Sequence, residues 1–550
     1  MSARRTAGLV GAAGLIAAVT VLARVVGLGR WLAFSHSVGA TCTGTAYSTA
    51  NQLPNVLYEV VAGGALSAAV VPLLARPMAD GDRDQVDRTA SALLTWAFIL
   101  LVPVALLLAV VAGPLVTALE PDGDCSRNGL HALAVRMLLV FAPQVVLYGI
   151  GVVLTGVLQA QRRFAWAAAA PLLSSVVVIG SYLWFGAIAG DGRDDLSRLS
   201  RSAELVLSVG TTLGVAALSL PLVLPVRRAG VRLRATFAFP PGVAQRARRL
   251  AAAGVATLGA QQLAVVVTLW LANRRGGPAA LNVYQYVQAV YVLPYAVLAV
   301  PLATSAFPRL AEHAGGVDDA SYASTLARST RLVVLAALAG TALLVATAPA
   351  VGAFFSAIDA GRSGSGAGTG AAALAGMATA LTAFAPGLWG FALIAHLGRA
   401  LYADGRSRWA AGATAAGWLV AAVGSVVVVL GLVDAAGDQP RRTLLGLGLA
   451  STAGMTVAGA LLIWGVVRTR GGAGLSGLLR AQVVALVGAV LALAAGRVVT
   501  DAVVSPGVGP SLAAGLLGAA VAAVVLVVVV AAADRGDARA LLARIAGGRR

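Results

Sequence analysis

Residues 508–533 read VGPSLAAGLLGAAVAAVVLVVVVAAA, without a charged side chain anywhere in the run. A membrane-spanning helix needs about 20 mostly apolar residues. Lipid offers no partner for backbone N–H and C=O groups, so a segment of this kind pairs them within itself, as a helix. The run is far too long for a barrel strand. Working outward, apolar runs of similar length recur near 8–35, 43–75, 88–118, 132–159, 165–189, 204–226, 243–272 and 280–308, then near 324–355, 372–398, 408–432, 443–467 and 479–500. Of the 550 residues, 59% are hydrophobic and 11% charged. A soluble domain of this length cannot hide that much apolar surface. The expected fold class is therefore all-α: a polytopic membrane protein of about 14 transmembrane helices.

Charge supports the count. The net charge is +19, and all 41 basic residues are Arg. They form no single basic stripe of the kind a nucleic-acid binder presents, but short clusters between the apolar runs. Arg is retained on the cytoplasmic side of short loops. With the N-terminus inside, 28 of the 41 fall on the cytoplasmic side, from Arg4 and Arg5 to Arg549 and Arg550, while Arg24 and Arg30 fall within the first span. One missed helix would invert every later loop and spoil this separation. The even number of spans puts both termini in the cytoplasm. The N-terminal run continues past Leu22 without a polar cleavage region, so it reads as a retained first helix rather than a signal peptide.

The longest basic connection is 227–249, with seven Arg and no acid. It separates an N-terminal lobe of six spans (1–228) from a C-terminal lobe of six (243–470), across a cytoplasmic linker at 229–242. Two further spans occupy 479–533, and a basic cytoplasmic tail covers 534–550. The second span of each lobe carries an echo: Leu53-Pro54 and Val71-Pro72 in one, Leu293-Pro294 and Phe307-Pro308 in the other. Both run from outside to inside, as in parallel repeats related by an axis along the membrane normal. The Gly-rich stretch 361–372 has no Gly-Lys-Ser/Thr after it and no strand before it, so it reads as a linker rather than a phosphate loop.

Ionisable groups inside a span are expensive and mark function or pairing. Arg24 and Arg30 lie in the second half of span one, and Glu59 lies mid-span in helix two. At 1.5 Å per residue, Arg24 and Glu59 sit roughly 22 and 24 Å from the cytoplasmic ends of their helices. Their matched depth on consecutive antiparallel helices supports two readings. One is a polar cavity in which Arg meets an anionic substrate, because guanidinium forks suit phosphate oxygens. The other is a structural pair of Glu59 with Arg24 or Arg30. Chemistry of other kinds has little support. The four His (His36, His131, His313, His396) make no metal-ligand spacing. Asp80, Asp82, Asp84 and Asp87 share a loop with Arg76, Arg83 and Arg88, and read as a solvated mixed-charge loop. No nucleophile–base pair stands out. We expect no catalytic residue, no metal and no cofactor. Cys42 and Cys125, the only cysteines, fall in loops on the extracytoplasmic side, where disulfides persist, and form a possible disulfide.

Span one reads Ala23-Arg24-Val25-Val26-Gly27-Leu28-Gly29-Arg30, and span two Leu53-Pro54-Asn55, then Gly63-Gly64-Ala65-Leu66-Ser67 and Val71-Pro72-Leu73-Leu74. With Ala142-Pro143-Gln144, Tyr148-Gly149, Gly210-Thr211-Thr212 and Phe307-Pro308-Arg309, this resembles the MurJ (MviN) lipid II flippase family over the first 310 residues. Beyond that the likeness is in hydropathy and helix count. The resemblance implies the two-lobed fold of the multidrug/oligosaccharidyl-lipid/polysaccharide exporter superfamily. It further implies that helices 1, 2, 7 and 8 line a cavity and that helices 13 and 14 form a groove for a lipid tail. The implied substrate is lipid II, an undecaprenyl-pyrophosphate disaccharide-pentapeptide, with Arg24 and Arg30 at the positions of the family's pyrophosphate-binding arginines. Asn55 and Glu59 join them as candidate substrate contacts. The chain departs from the family pattern where basic residues are common, at Tyr58, Glu59 and Ala289; at an acid position, Thr45; and at Ala23. The expected cavity is therefore less positive than the family's. No acid lies in spans seven or eleven to hold sodium.

The sequence thus reads as a transporter of the bacterial plasma membrane, not an enzyme, working by alternating access. Its expected partners are lipid II or a similar polyprenyl-pyrophosphate glycan, membrane lipids and cell-envelope synthesis enzymes; nucleic acid is not among them. Export of another polyprenyl-linked glycan or of a drug stands as the alternative, as does a non-transporting paralogue that scaffolds envelope enzymes.

Overall fold

The computed structural model describes residues 22–60, 67–123, 125, 129–161, 163–314, 319–363, 368–433 and 438–533. The expected basic tail at 534–550 and the first part of span one lie outside the described residues. The described residues form helices and connecting turns, with no strand among them. Eleven of the helices are long and apolar enough to cross a membrane, from Arg83–Val110 to Val508–Ala533. They coincide with eleven of the expected spans, and the chain is an all-α, multi-pass membrane protein. The other three expected spans take different forms. Span one is described as a helix over 22–37 (α1). Span seven is the single helix Val243–Arg274. Span two is described in two parts.

Its first part is α2, Cys42–Tyr58, and its second is α3, Ser67–Ala79. Thr41 caps α2, its side chain accepting from the Gly44 N–H at 3.0 Å. Pro54 lies inside α2 and has no N–H to give the preceding turn, and the helix widens to a π-turn at 59–60. Such π-turns gather at functional sites. The second span of the C-terminal half, Ala280–His313, is one helix that also passes into a π-helical turn after its Leu-Pro step, over Tyr295–Ala299. The two Leu-Pro steps of the sequence echo therefore share a local structure.

Contacts divide the chain into two compact units, Met1–Gln262 and Leu263–Arg550, with the division inside Val243–Arg274. In the first unit follow α4 (Arg83–Val110), α5 (Leu130–Phe141), α6 (Gln144–Ala160), α7 (Phe164–Ile188) and α8 (Arg201–Ser219), and α9 (Val243–Arg274) contains the division. Helix α2 packs on α5, α4 on α6, and α7 on α8. The core here is aromatic and hydroxylated. Tyr47 packs edge-on to Phe141 and Tyr182, and its hydroxyl lies 2.8 Å from that of Tyr182 and 3.1 Å from Thr211 Oγ1. Cys42 and Cys125 are joined as a disulfide with their Cα atoms 5.4 Å apart.

The second unit holds α10 (Ala280–Pro294), α11 (Val300–His313), α12 (Asp319–Ser363), α13 (Met377–Phe384), α14 (Leu388–Ala403), α15 (Ser407–Val433), α16 (Gln439–Arg470), α17 (Leu478–Val503) and α18 (Val508–Ala533). The 45-residue α12 packs against α17 and α18, and α15 packs against α16. Small residues let these backbones approach, as is usual where lipid removes the hydrophobic drive between helices. An added Cβ on Gly454 would lie 2.4 Å from the Gly417 carbonyl oxygen. Buried Asp404, just past the end of α14, accepts from Arg406 at 2.8 Å and from Arg470, which also pairs with Asp319.

Candidate functional site

The candidate residues of the first unit come from α1, α2 and α6. Asn55 sits one position after Pro54, and its Oδ1 accepts from the Tyr148 hydroxyl of α6 at 2.9 Å. Tyr58, one turn further along α2, packs its ring on that of Tyr148 with centroids 4.3 Å apart and an interplanar angle of 33°. Next to it, Glu59 begins the π-turn and is exposed. Below the tyrosine pair lies a cavity of about 260 Å³, bordered by Tyr58, Tyr148, Thr155, Gln159 and Pro171 among others. Its wall on α6 includes Gly151 and Gly156, which lie against Ser219 and Val70.

Arg30 on α1 is half-buried, and its guanidinium carbon stands 5.9 Å from the Trp31 ring centroid. Of the four candidates, Tyr148 contacts Asn55 directly, and its ring partner Tyr58 immediately precedes Glu59. Arg24 is exposed and lies six residues before Arg30, about 9 Å along the helix. Among the described residues no ion pair joins Glu59 to Arg24 or Arg30. Glu204 of α8 accepts from Arg136 at 2.8 Å and also pairs with Arg201. Sequence reasoning noted Tyr148 only as part of a Tyr-Gly motif and Tyr58 only as a missing basic residue. Their contact depends on how α2 meets α6, for which neither position carries a signal.

The arrangement offers guanidinium, amide, phenol and carboxylate groups around the π-turn of span two. Solved structures share its fold. The chain superposes on an inward-facing multidrug resistance MATE family transporter of the MOP superfamily with a TM-score of 0.63 and 16% identity, over 82% of this chain and 94% of that one. It superposes on a lipid II flippase MurJ in its inward closed conformation with a TM-score of 0.70 and 15% identity, over 94% of this chain and 98% of that one. The class is thus the helical membrane fold that these two structures share. Within it, the sequence matches the family described as lipid II flippase MurJ over residues 34–507, and the chain belongs to that family. Among its relatives, a probable lipid II flippase MurJ of Rhizobium meliloti (strain 1021) is 25% identical over 344 residues, 60% of each chain. The lipid II flippase MurJ of Burkholderia cenocepacia is 28% identical over 355 residues, 61% of this chain and 63% of that one. The matched region thus spans about three-fifths of the length of these curated relatives.

Proposed function

We propose that this chain moves lipid II across the bacterial plasma membrane by alternating access, with both termini on the cytoplasmic side. The single observation that carries the reading is membership of the lipid II flippase MurJ family over residues 34–507. The residues fit an anionic headgroup. Arg24 is exposed and Arg30 half-buried on one helix, and a guanidinium presents paired donors that match phosphate oxygens. Asn55 and Glu59, beside and in the π-turn of span two, serve the sugar or peptide part of the headgroup. Leu479, Val483, Leu486 and Val490 on α17, with Leu512, Leu516 and Val524 on α18, expose apolar surface that suits a polyprenyl tail. Envelope-synthesis enzymes are the partners this role implies.

The test is complementation: a bacterial host is depleted of its own lipid II flippase and this chain is expressed in its place. Growth and outward lipid II return with the unaltered chain. Arg24→Ala lowers the flux at least ten-fold while the protein stays in the membrane, and Arg24→Lys keeps part of the activity because Lys lacks the planar fork. Full activity of Arg24→Ala ends the role assigned to Arg24. One observation favours a second reading. Glu59 is exposed where relatives often carry basic residues, and it has no ion pair with either arginine among the described residues. That suits export of a cationic drug, and drug resistance without rescue of growth is the result that selects it.

A further inference from the structure

The basic connection after α8 is not a free loop. After the short helix Val223–Arg228, residues 231–239 run along the start of α4. The Arg232 N–H donates to Asp87 Oδ1 at 3.0 Å, the Arg234 N–H to Ser91 Oγ at 3.0 Å, and the Thr236 N–H to Thr95 Oγ1 at 3.2 Å. The Trp96 indole N–H closes the series on the Phe237 carbonyl at 3.1 Å. The match is geometric. Two residues of extended chain advance about 6.6 Å, and four residues of helix advance about 6.0 Å. A polar line at every fourth position of α4 therefore meets every second N–H of the strap. Asp87 is thus held by the backbone, and Asp82 by the Gln85 N–H at 2.9 Å, rather than by solvent or arginine alone.

The register decides which side chains face out. Val231 is buried with Val86, Ala90 and Leu93, and Leu233 and Phe239 pack against the same cluster. Arg232 and Arg234 alternate with them and are exposed, as are Arg227 and Arg228. No described carboxylate pairs with any of these four guanidiniums. At the far end of the strap Phe237 is 63% exposed and stands edge-on to Trp96, itself 38% exposed, with centroids 6.1 Å apart. Beyond Trp96 the outer face of α4 continues with Phe98, Ile99 and Leu100, all exposed and apolar. Aromatic pairs of this kind sit at the headgroup level of a membrane. Arg234 then stands about 10 Å and Arg232 about 17 Å back along an extended chain, on the water side of that level.

The geometry points to segment 231–239, with Arg227 and Arg228, as a docking site for the phosphates of anionic phospholipids at the membrane surface. The strap holds its arginines on one face by backbone bonds, so substituting their side chains leaves its fastening intact. The site depends only on the chain's crossing a membrane and stands whether or not lipid II is its cargo.

Native mass spectrometry of the full chain in detergent tests it, with phosphatidylglycerol or phosphatidylcholine added. The unaltered protein retains phosphatidylglycerol in preference to phosphatidylcholine, and retention falls as salt is raised. The double variant R232Q/R234Q loses roughly 25-fold in phosphatidylglycerol retention, about five-fold per arginine near an anionic surface. R232K/R234K keeps most of it. The thermal midpoints of all three proteins agree. Phe237→Ala serves as an independent variant and weakens retention of both lipids. Equal retention of the two lipids by the unaltered protein, or unchanged retention in R232Q/R234Q, overturns the proposal. So does displacement of the lipid by millimolar inorganic phosphate, which would mark a site for the free ion instead.

Discussion

The second spans of the two units begin with α2 and α10, which both pass a Leu-Pro step into a π-turn and are fastened at their starts by different means. Helix α2 begins on a Thr41 cap, a Cys42–Cys125 disulfide and a hydrogen bond from Thr43 Oγ1 to the Gly192 carbonyl at 3.1 Å. Helix α10 starts without a side-chain cap bond. It follows a tight turn in which Gly277 (φ 73°) and Ala279 (φ 66°) are left-handed and Gly276 lies against the Ala272 carbonyl. The side chains around the two Leu-Pro steps differ as well. Asn55, Tyr58 and Glu59 follow Pro54, whereas Tyr284, Tyr291 and Tyr295 around Pro294 pack on Phe384 and Phe391. The span that carries an amide and a carboxylate is tied covalently at its start, and the other starts on a tight turn.

The largest test of that contrast is the disulfide. It closes a loop of 83 residues, a size for which chain entropy gives roughly 4 kcal/mol. Reduction, or Cys42→Ser with Cys125→Ser, is expected to lower the unfolding free energy of the first unit by about that much, read from denaturation in detergent. Alkylation before reduction should label neither cysteine. Two free thiols in the untreated protein would remove the covalent half of the comparison.

The turn before α10 gives a smaller effect. A Cβ at Gly276 would meet the Ala272 carbonyl oxygen at 2.4 Å and the Ala280 Cβ at 2.6 Å. Gly276→Ala should therefore destabilise by about 1–3 kcal/mol. Ala279→Gly, by contrast, should stabilise slightly, since a left-handed residue without Cβ is unstrained. A neutral Gly276→Ala would mean that close approach is not what holds α10.

What could be read in the sequence follows the range of each interaction. Span placement depends on runs of twenty or so residues, and the stretch from Arg83 to Val110 or from Val508 to Ala533 announces itself. The π-turn that follows Pro54 was not visible, because Pro is tolerated inside many membrane helices. The loop acids looked solvated because charge pattern alone ignores backbone donors. Asp87 in fact accepts from an N–H 145 residues away in sequence. The same holds for the candidate site. Arg24, Arg30 and Glu59 stood out as charges in apolar runs, but Tyr148 is an ordinary residue of an ordinary span. Its role arises only from the packing of α6 on α2, which brings its hydroxyl to Asn55.

That hydroxyl supplies the finest test of the comparison, because α10 holds a tyrosine in the opposite condition. The Tyr148 hydroxyl donates to Asn55 Oδ1 at 2.9 Å, while its ring rests on Tyr58. Tyr291 of α10 is 4% exposed, and its hydroxyl has no hydrogen-bond partner among the described residues. Phenylalanine keeps either ring and removes only the oxygen. Tyr148→Phe therefore breaks a bond and strands the Asn55 carbonyl oxygen, at a net cost of about 1 kcal/mol. Tyr291→Phe removes a buried group that already lacks a partner, and such a change is neutral or stabilising. Thermal unfolding of the two variants, measured side by side in the same detergent, reads the difference directly. Equal losses would show that the Tyr148–Asn55 bond adds nothing to the fastening of α2. Transport by the same pair then separates stability from function. If Asn55 must be held toward the substrate, Tyr148→Phe slows transport beyond what its stability loss explains, and Tyr291→Phe leaves it unchanged.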